Sequence, residues 1–287
     1  MVRKHRYLAG GAIAVLALAG CSSADSGEES AAGAAPEDCI EIADDAVVEQ
    51  GVLNIGTNAT LPPLSYVDAD GEIRGQRWEL GEELGARLCL DVAWTNAQAT
   101  SLQPSMEAGR IDIVDIGYFV TEERIAEMRM IPTERMGISV SVAAGNPRGV
   151  ESVEDLSGLT LGAAVSSFEE ATLQTISDGL VEDGLDPIDI RSFDEYDMVF
   201  QALSAGQVDS VATTSPVAAY YADKGGFDAA IEGLELTDTA LVVSNGPLAD
   251  AVIEALDAMK ADGSYDALIA DYSLEPVDDF AVQYTGE

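Results

Sequence analysis

The sequence predicts an α/β protein of two lobes, and three observations support this fold class. From residue 52 onward, strand-like and helix-like stretches alternate, as in proteins whose helices cover both faces of a parallel sheet. Residues 107–114 (EAGRIDIV) and 204–211 (SAGQVDSV) repeat one unit, in which a helix ends at a glycine and the chain turns into an inner strand. The length of 287 residues allows one large domain or two modest lobes. We therefore expect two sheets flanked by helices, with a ligand cleft at the carboxyl ends of their strands.

The individual elements follow from apolar spacing and from residues typical of helix ends. The predicted strands are 52–57, 90–95, 111–116, 160–164, 188–193 and 208–213. The predicted helices are 76–88, 101–108, 121–128, 167–184 and 194–205, and the first of them has apolar residues at 78, 80, 84 and 88. Ser167 and Glu170 have the spacing of a capping box, and Ser215 before Pro216 marks the start of a further helix, with Ser215 as its N-cap.

An excess of acidic residues limits the classes of function. The chain has 52 Asp and Glu against 14 Lys and Arg, a formal net charge of −38, and so negative a surface repels the phosphates of nucleic acids. The one histidine, His5, lies in a segment that we expect to be removed, which excludes Ser-His-Asp, Cys-His and His-ligated zinc chemistry. The acidic pairs do not have the spacing of a calcium loop, and we expect neither a metal nor a cofactor.

The N-terminal segment has the pattern of a secretory signal followed by a tether. A basic start precedes an apolar run, 7–19, which is too short for a permanent bilayer-spanning helix. The run ends in Leu-Ala-Gly-Cys, which resembles the lipobox of bacterial lipoproteins; this resemblance implies cleavage before Cys21 and a lipid on its sulfur. We predict a signal peptide over 1–20 and an acidic flexible tether over 21–39, with an uncleaved anchor as the alternative. No later stretch is apolar enough for a second membrane segment.

Two more cysteines, Cys39 and Cys89, belong to the predicted extracytoplasmic part of the chain, where disulfides persist. Cys39 precedes the first predicted strand, and Cys89 follows the first long helix. A disulfide between them would attach the N-terminal segment to the body of the protein, and a pair of buried thiols is the alternative.

The order of several short motifs resembles that of a known family. The stretches concerned are 52–63, 70–75, 108–112, 121–124, 152–159 and 259–265. Over residues 50–275 the chain is similar to the polar amino-acid (family 3) solute-binding proteins of ABC importers. The resemblance implies a two-lobed clamshell of the periplasmic-binding-protein-like type II fold, each lobe a sheet flanked by helices. It also implies two chain crossings, with lobe 1 formed by 40–134 plus 241–287 and lobe 2 by 135–240.

The resemblance assigns ligand-binding positions whose chemistry is only partly kept. Arg124 takes the position of the family's carboxylate-binding arginine, and Gly117 that of the small residue whose backbone approaches the ligand. At the other positions this chain differs from the family. Leu61 replaces a stacking aromatic, Phe119 replaces a Thr, Ser166 and Ser167 replace Gly-Thr, Thr214 replaces the ammonium-binding acid, and Asn58 replaces an early Asp. The carboxylate site is thus kept, while the usual ammonium site is absent. A surface ion pair with Glu122 or Glu123 is the alternative role for Arg124.

Three further acidic residues have roles that their local sequence indicates. Asp115 lies inside an apolar strand, where a carboxylate is costly unless it is paired. It is either a relocated partner for a cationic group of the ligand or one half of a salt bridge with a neighbouring arginine. Glu169 and Glu170, at a helix start, are interpreted as helix caps.

Together these observations predict a binding protein rather than an enzyme. We expect a monomeric component on the extracytoplasmic face of the cell membrane, lipid-anchored through Cys21, which delivers a small organic solute to ABC permease subunits. Because Thr214 and Asn58 are neutral, we expect a carboxylate-bearing amino acid or derivative whose amine is masked, quaternised or displaced. A dehydratase-like enzyme on the same fold and a ligand-sensing lipoprotein remain the alternatives.

Overall fold

A computed structural model describes residues 39–43 and 45–286. The predicted signal peptide, the lipidated Cys21 and nearly all of the predicted tether lie outside these residues. Within the described part, no helix is both long and apolar enough to cross a membrane.

The described chain folds into alternating strands and helices. The strands are β1 Val52–Thr57, β2 Thr60–Leu61, β3 Ser65–Val67, β4 Ile73–Arg74, β5 Asp91–Asn96, β6 Ile113–Phe119, β7 Arg129–Ala143, β8 Thr160–Ala164, β9 Asp189–Phe193, β10 Ser210–Thr214 and β11 Phe227–Val243. The helices are α1 Gln76–Leu88, α2 Ala99–Glu107, α3 Glu122–Glu127, α4 Phe168–Glu182, α5 Tyr196–Ser204, α6 Ser215–Asp223, α7 Gly246–Asp262 and α8 Ser264–Asp271, with one 3-10 turn at Val153–Leu156.

The architecture is the expected two-lobed α/β fold, but its sheets are joined. The first lobe contains the parallel strands β5, β1 and β6, and the second contains the parallel strands β10, β8 and β9. Between them run β7 and β11, two antiparallel strands of 15 and 17 residues that pass through both lobes. All eight strands therefore form one mixed sheet, in the order β5-β1-β6-β11-β7-β10-β8-β9. The sheets of the two lobes are joined because the chain crossings are themselves paired strands.

Several predicted boundaries need correction. Helix α1 and strands β1 and β8 have the predicted limits, whereas the other predicted elements shift at one or both ends. The N-cap of α6 is Thr214 rather than Ser215, since Ser215 already has helical geometry. Ser167 does cap α4, its hydroxyl accepting the backbone N–H of Glu170 at 3.0 Å. The Glu170 carboxylate accepts the N–H of Ser166 at 2.8 Å, one residue before the position that a capping box requires.

The N-terminal segment is fixed to the first lobe by a disulfide. Cys39 and Cys89 are bonded, with their Cα atoms 5.6 Å apart. Cys89 ends α1 in the left-handed conformation, with a φ of 51°. The backbone N–H of Ile40 also donates to the carbonyl of Arg87 at 3.0 Å. The structure thus contains the disulfide and not the alternative pair of free thiols.

Candidate functional site

A cavity of about 70 Å³ lies between the two lobes, where the inner strands end. The first lobe contributes Asn58, Leu61, Gly117, Tyr118, Phe119 and Arg124 to its lining, and the second contributes Ser166, Ser167, Phe168, Glu169, Glu195, Tyr196 and Thr214. Eight of the nine residues predicted to bind ligand are among them, and the ninth, Asp115, is not. The cavity volume is several times what one water molecule needs.

Arg124 is held at the wall of this cavity by the start of α3. The hydroxyl of Thr121 accepts the backbone N–H of Arg124 at 3.2 Å, which fixes the first turn of the helix. The guanidinium donates through Nη1 to the carbonyl of Phe119 at 2.9 Å and lies over the ring of Tyr118, 5.2 Å from its centre. No carboxylate of the described residues lies within 4.0 Å of it, so the surface ion pair considered as its alternative role is not formed. The remaining donors of the fork are available to a ligand carboxylate.

The two lobes contact each other across the cleft. The rings of Phe119 and Phe168, one from each lobe, stack with their centres 4.5 Å apart and their planes at 23°. Asn58 of the first lobe donates through Nδ2 to the Glu195 carboxylate of the second at 2.7 Å. The two lobes are therefore in direct contact across the cleft in this structure.

Glu169 is a cavity residue that the sequence analysis assigned to helix capping alone. Its side chain is buried, with 1% exposure, on the face of α4 that also buries Thr172, Leu173, Ser177 and Leu180. The hydroxyl of Tyr196 lies 3.3 and 3.4 Å from its two carboxylate oxygens. Burial raises the pKa of Glu169, and hydrogen bonds from its own backbone N–H, Ser167 and Tyr196, with attraction from Arg124, oppose that rise. The helical spacing of 169 with 173, 177 and 180 was the signal that could have placed Glu169 on the inner face.

Glu195 is the second acidic residue of the cavity that the sequence did not reveal. It is the N-cap residue of α5, although its side chain does not bond the helix. Besides Asn58, the hydroxyl of Thr60 lies 3.4 Å from the same oxygen, Oε2, while its proton is donated to Asn58 Oδ1 at 2.5 Å. Because these partners come from the other lobe, 135 and 137 residues away in sequence, no local pattern could have indicated this contact.

Two hydroxyl-bearing positions of the second lobe complete the wall. Thr214 is 3% exposed, and its hydroxyl has no hydrogen-bond partner within the described residues. A buried polar atom of this kind is normally satisfied, so a ligand at this wall would restore its hydrogen bond. Ser166 has a φ of 58°, an unusual conformation for a residue other than glycine. The backbone N–H of Ser166 donates to the Glu170 carboxylate.

Asp115 lies behind the cavity wall in a buried ion-pair network. Asp115 Oδ1 lies 3.4 Å from Arg77 Nε, and Glu134 Oε1 lies 2.5 Å from Arg77 Nη1. The hydroxyl of Thr239 donates to the same Glu134 oxygen at 2.7 Å. Of the two roles left open for Asp115, the structure contains the salt bridge. Burial, together with repulsion from Glu134, raises the pKa of Asp115 to about 6 despite the opposing effect of Arg77.

Gly117 separates this network from the cavity. Its φ of 64° favours glycine, and a Cβ at this position would collide with the Nη2 atom of Arg77. The glycine therefore lets the cavity wall and the buried arginine approach each other closely.

Comparisons with known proteins agree with this geometry. The model of the bacterial extracellular solute-binding proteins, family 3, matches residues 53–275. The L-cystine-binding protein TcyJ of Escherichia coli K12 is 26% identical over 227 residues, covering 77% of this chain and 82% of that protein. An ancestral arginine-binding protein, solved with arginine, superposes with a TM-score of 0.69 at 28% identity, over 78% of this chain and 98% of its own. An ancestral amino acid-binding protein described as a precursor of cyclohexadienyl dehydratase has a TM-score of 0.68 at 27% identity, over 77% and 95%.

Proposed function

Because the chain belongs to the bacterial extracellular solute-binding proteins of family 3, we propose that it is the extracytoplasmic binding component of an ABC importer for an amino acid or amino-acid derivative. The observation that carries this proposal is Arg124, whose guanidinium lines an interlobe cavity without a carboxylate partner among the described residues. The names of these relatives, which refer to L-cystine and to arginine, support an amino acid as the class of ligand.

The ligand would close the cleft by binding both lobes at once. Its carboxylate would bind the guanidinium of Arg124 from the first lobe, while Ser166, Ser167 and Thr214 line the cavity from the second. Such contacts are made in full only when the lobes meet, so ligand binding favours the closed population. We propose that the lobes comprise 40–134 plus 241–287 and 135–240, as the family resemblance implies, with the bends near 134–138 and 236–240.

A binding screen followed by a titration tests the carboxylate site. A thermal-shift panel of amino acids, organic acids and compatible solutes should find at least one stabilising ligand, because a ligand at about 100 times its Kd adds about 2.7 kcal/mol. Calorimetric titration of that ligand should then show a loss of at least about tenfold in affinity for Arg124→Ala, and little recovery for Arg124→Lys, which lacks the bidentate fork. Arg110→Ala, an exposed arginine outside the cavity, is the control. Wild-type affinity in Arg124→Ala, or a panel without any binder, would refute the proposal.

We further propose that the mature protein is a lipid-anchored monomer that delivers its ligand to permease subunits in the membrane. The support for anchoring is the Leu-Ala-Gly-Cys sequence ending at Cys21, with 1–20 as the signal peptide and 21–39 as the tether. In the native host, Cys21→Ser should move the protein from the membrane fraction to the medium and abolish labelling by palmitate. Sedimentation of the unanchored variant measures its oligomeric state.

A dehydratase is the second candidate, because one structural relative is described as a precursor of such an enzyme. Glu169, a buried cavity acid whose pKa is raised by burial, has the property needed of a general acid. Incubating the protein with cyclohexadienyl carboxylic acids and following loss of water by mass spectrometry distinguishes turnover from binding alone. Product formation that disappears in Glu169→Gln would favour the enzyme.

A further inference from the structure

The charges that line the cavity are unbalanced. Arg124 is the one cationic side chain among the described lining residues, whereas three carboxylates line the same cavity: Glu169, Asp194 and Glu195. Asp194 is exposed at the rim, where solvent screens its charge. The other two carboxylates are the ones that a ligand in the closed cleft would meet.

We propose that Glu169 and Glu195 form an acidic subsite on the second lobe, which binds the two cationic groups of a basic amino acid whose carboxylate lies on Arg124. This inference rests on the proposed function and names the class of ligand for the same site. It replaces the expectation of a masked or quaternised amine, which considered only the neutral residues Thr214 and Asn58.

Glu195 is oriented for this role by the opposite lobe. Asn58 Nδ2 donates to Oε2 at 2.7 Å, and the Thr60 hydroxyl lies 3.4 Å from the same oxygen. Its other oxygen, Oε1, has no protein partner within the described residues and can accept from a ligand. Asn58 occupies the position where the family resemblance places an acid, so here the amide orients a carboxylate instead of supplying one.

Glu169 is the acid near the carboxylate end of the ligand. Arg124 attracts it electrostatically, yet no nitrogen of Arg124 comes within 4.0 Å of its oxygens. The α-ammonium of an amino acid is separated from its carboxylate by a single carbon, so a ligand carboxylate on Arg124 brings its ammonium towards Glu169. Glu195, whose Oε1 has no protein partner within the described residues, is left for the cationic side chain.

A charge count supports two cationic groups rather than one. The ligand carboxylate neutralises Arg124, and the α-ammonium neutralises Glu169. Glu195 then needs one more positive charge, because a half-buried carboxylate in a closed cleft loses much of its hydration. A ligand of net charge +1 meets this need, and it connects Arg124 of the first lobe with both acids of the second.

The test compares arginine with citrulline, which has the same shape but a neutral ureido group. Calorimetry on the full mature chain at physiological salt should show arginine binding at least about tenfold more tightly than citrulline, a difference of about 1.4 kcal/mol. Glu195→Gln should lower the affinity for arginine by about tenfold or more and change that for citrulline by less than about threefold. Glu169→Gln should weaken both ligands alike, since both have the α-ammonium. Glu182→Gln changes an exposed glutamate at the end of α4, outside the cavity, and is the matched control, expected to change neither affinity by more than about threefold.

Several outcomes would overturn the acidic subsite. Equal affinities of wild type for arginine and citrulline would do so, and so would a Glu195→Gln variant that binds arginine like wild type. Circular dichroism checks the fold of each variant, and the partly exposed Glu195 provides the test if Glu169→Gln does not fold. If glutamine binds in a manner that depends on Arg124 while arginine has no advantage, the subsite is refuted and the proposed function stands. If neither an amino acid nor any other solute of the panel binds, the proposed function itself fails.

Discussion

Replacing Arg77 with methionine should destabilise the protein more than any other single change to its ion pairs. Methionine fills much of the same space, but it leaves two buried carboxylates without a cation. Asp115 is 2% exposed and Glu134 is 0% exposed. Breaking a buried ion pair from one side costs about 3–5 kcal/mol. Since two acids lose their partner here, we expect the upper end of that range at pH 8.

The same loss should depend on pH with a defined sign. Asp115 has a pKa of about 6 even beside Arg77, and losing the guanidinium, which lowers that pKa, raises it further. Acids whose pKa is raised in the folded state hold more protons there than in the unfolded chain, so stability falls as the pH rises. The free-energy loss of Arg77→Met should therefore be smaller at pH 5 than at pH 8, by about 1.4 kcal/mol per pKa unit.

Urea unfolding followed by circular dichroism at both pH values measures this difference. Arg87→Met on the same helix is the control: Arg87 pairs with Glu83 and with the half-exposed Asp262, both at 2.7 Å, and we expect a loss of about 1 kcal/mol. The backbone N–H of Ser264, together with Arg87, lowers the pKa of Asp262 to about 2. The control effect should thus be equal at pH 5 and 8. A loss below about 1 kcal/mol for Arg77→Met, or one that does not change with pH, would refute the reasoning.

Three further predictions concern the same lobe. The wild-type protein should lose up to about 3 kcal/mol of stability as the pH rises from about 4 to 6, because the pKa of Asp115 is about 6 when folded and 3.8 when unfolded. Asp115→Asn should abolish this loss. An unchanged dependence on pH in urea unfolding would contradict this prediction. Gly117→Ala should lower stability by at least about 2 kcal/mol, since it combines a positive φ with a collision against Arg77; thermal unfolding measures the loss, and a wild-type midpoint would argue against it. Cys39→Ser should lower the free energy of unfolding by about 2–4 kcal/mol, measured in urea without reductant. A thiol assay should detect Cys89 in this variant and neither cysteine in the disulfide-bonded parent.

The sequence predicted most successfully what is encoded locally. Helix α1 has the expected limits because its apolar residues follow the helical period and its end coincides with Cys89 in a left-handed conformation. Strands β7 and β11 escaped prediction for different reasons. The first is buried on both faces and lacks alternation, whereas the N-terminal part of the second is only partly buried and mixes polar with apolar residues.

The cavity shows the same division between local and long-range information. Arg124 and Gly117 could be placed by family resemblance, and the family itself is confirmed by the match over 53–275. Glu169 was assigned to capping because its position next to Ser167 explains it without reference to the other lobe. Glu195 acquires its role only through contacts made when the lobes close, which no spacing within the sequence reveals.

The paired strands β7 and β11 also determine the thermodynamic cost of the motion between the lobes. A crossing made of two single loops would be free to sample many backbone conformations when the cleft is open, and closure would have to remove that freedom, at about 1–2 kcal/mol for each residue fixed. Here both crossings are hydrogen-bonded to each other, with irregular register between Ala229 and Ala240. Bulges concentrate bending and twist without unpairing the rest of a ladder. Opening thus becomes the flexing of an ordered ribbon with few degrees of freedom, and little of the ligand's binding energy is consumed in ordering the backbone.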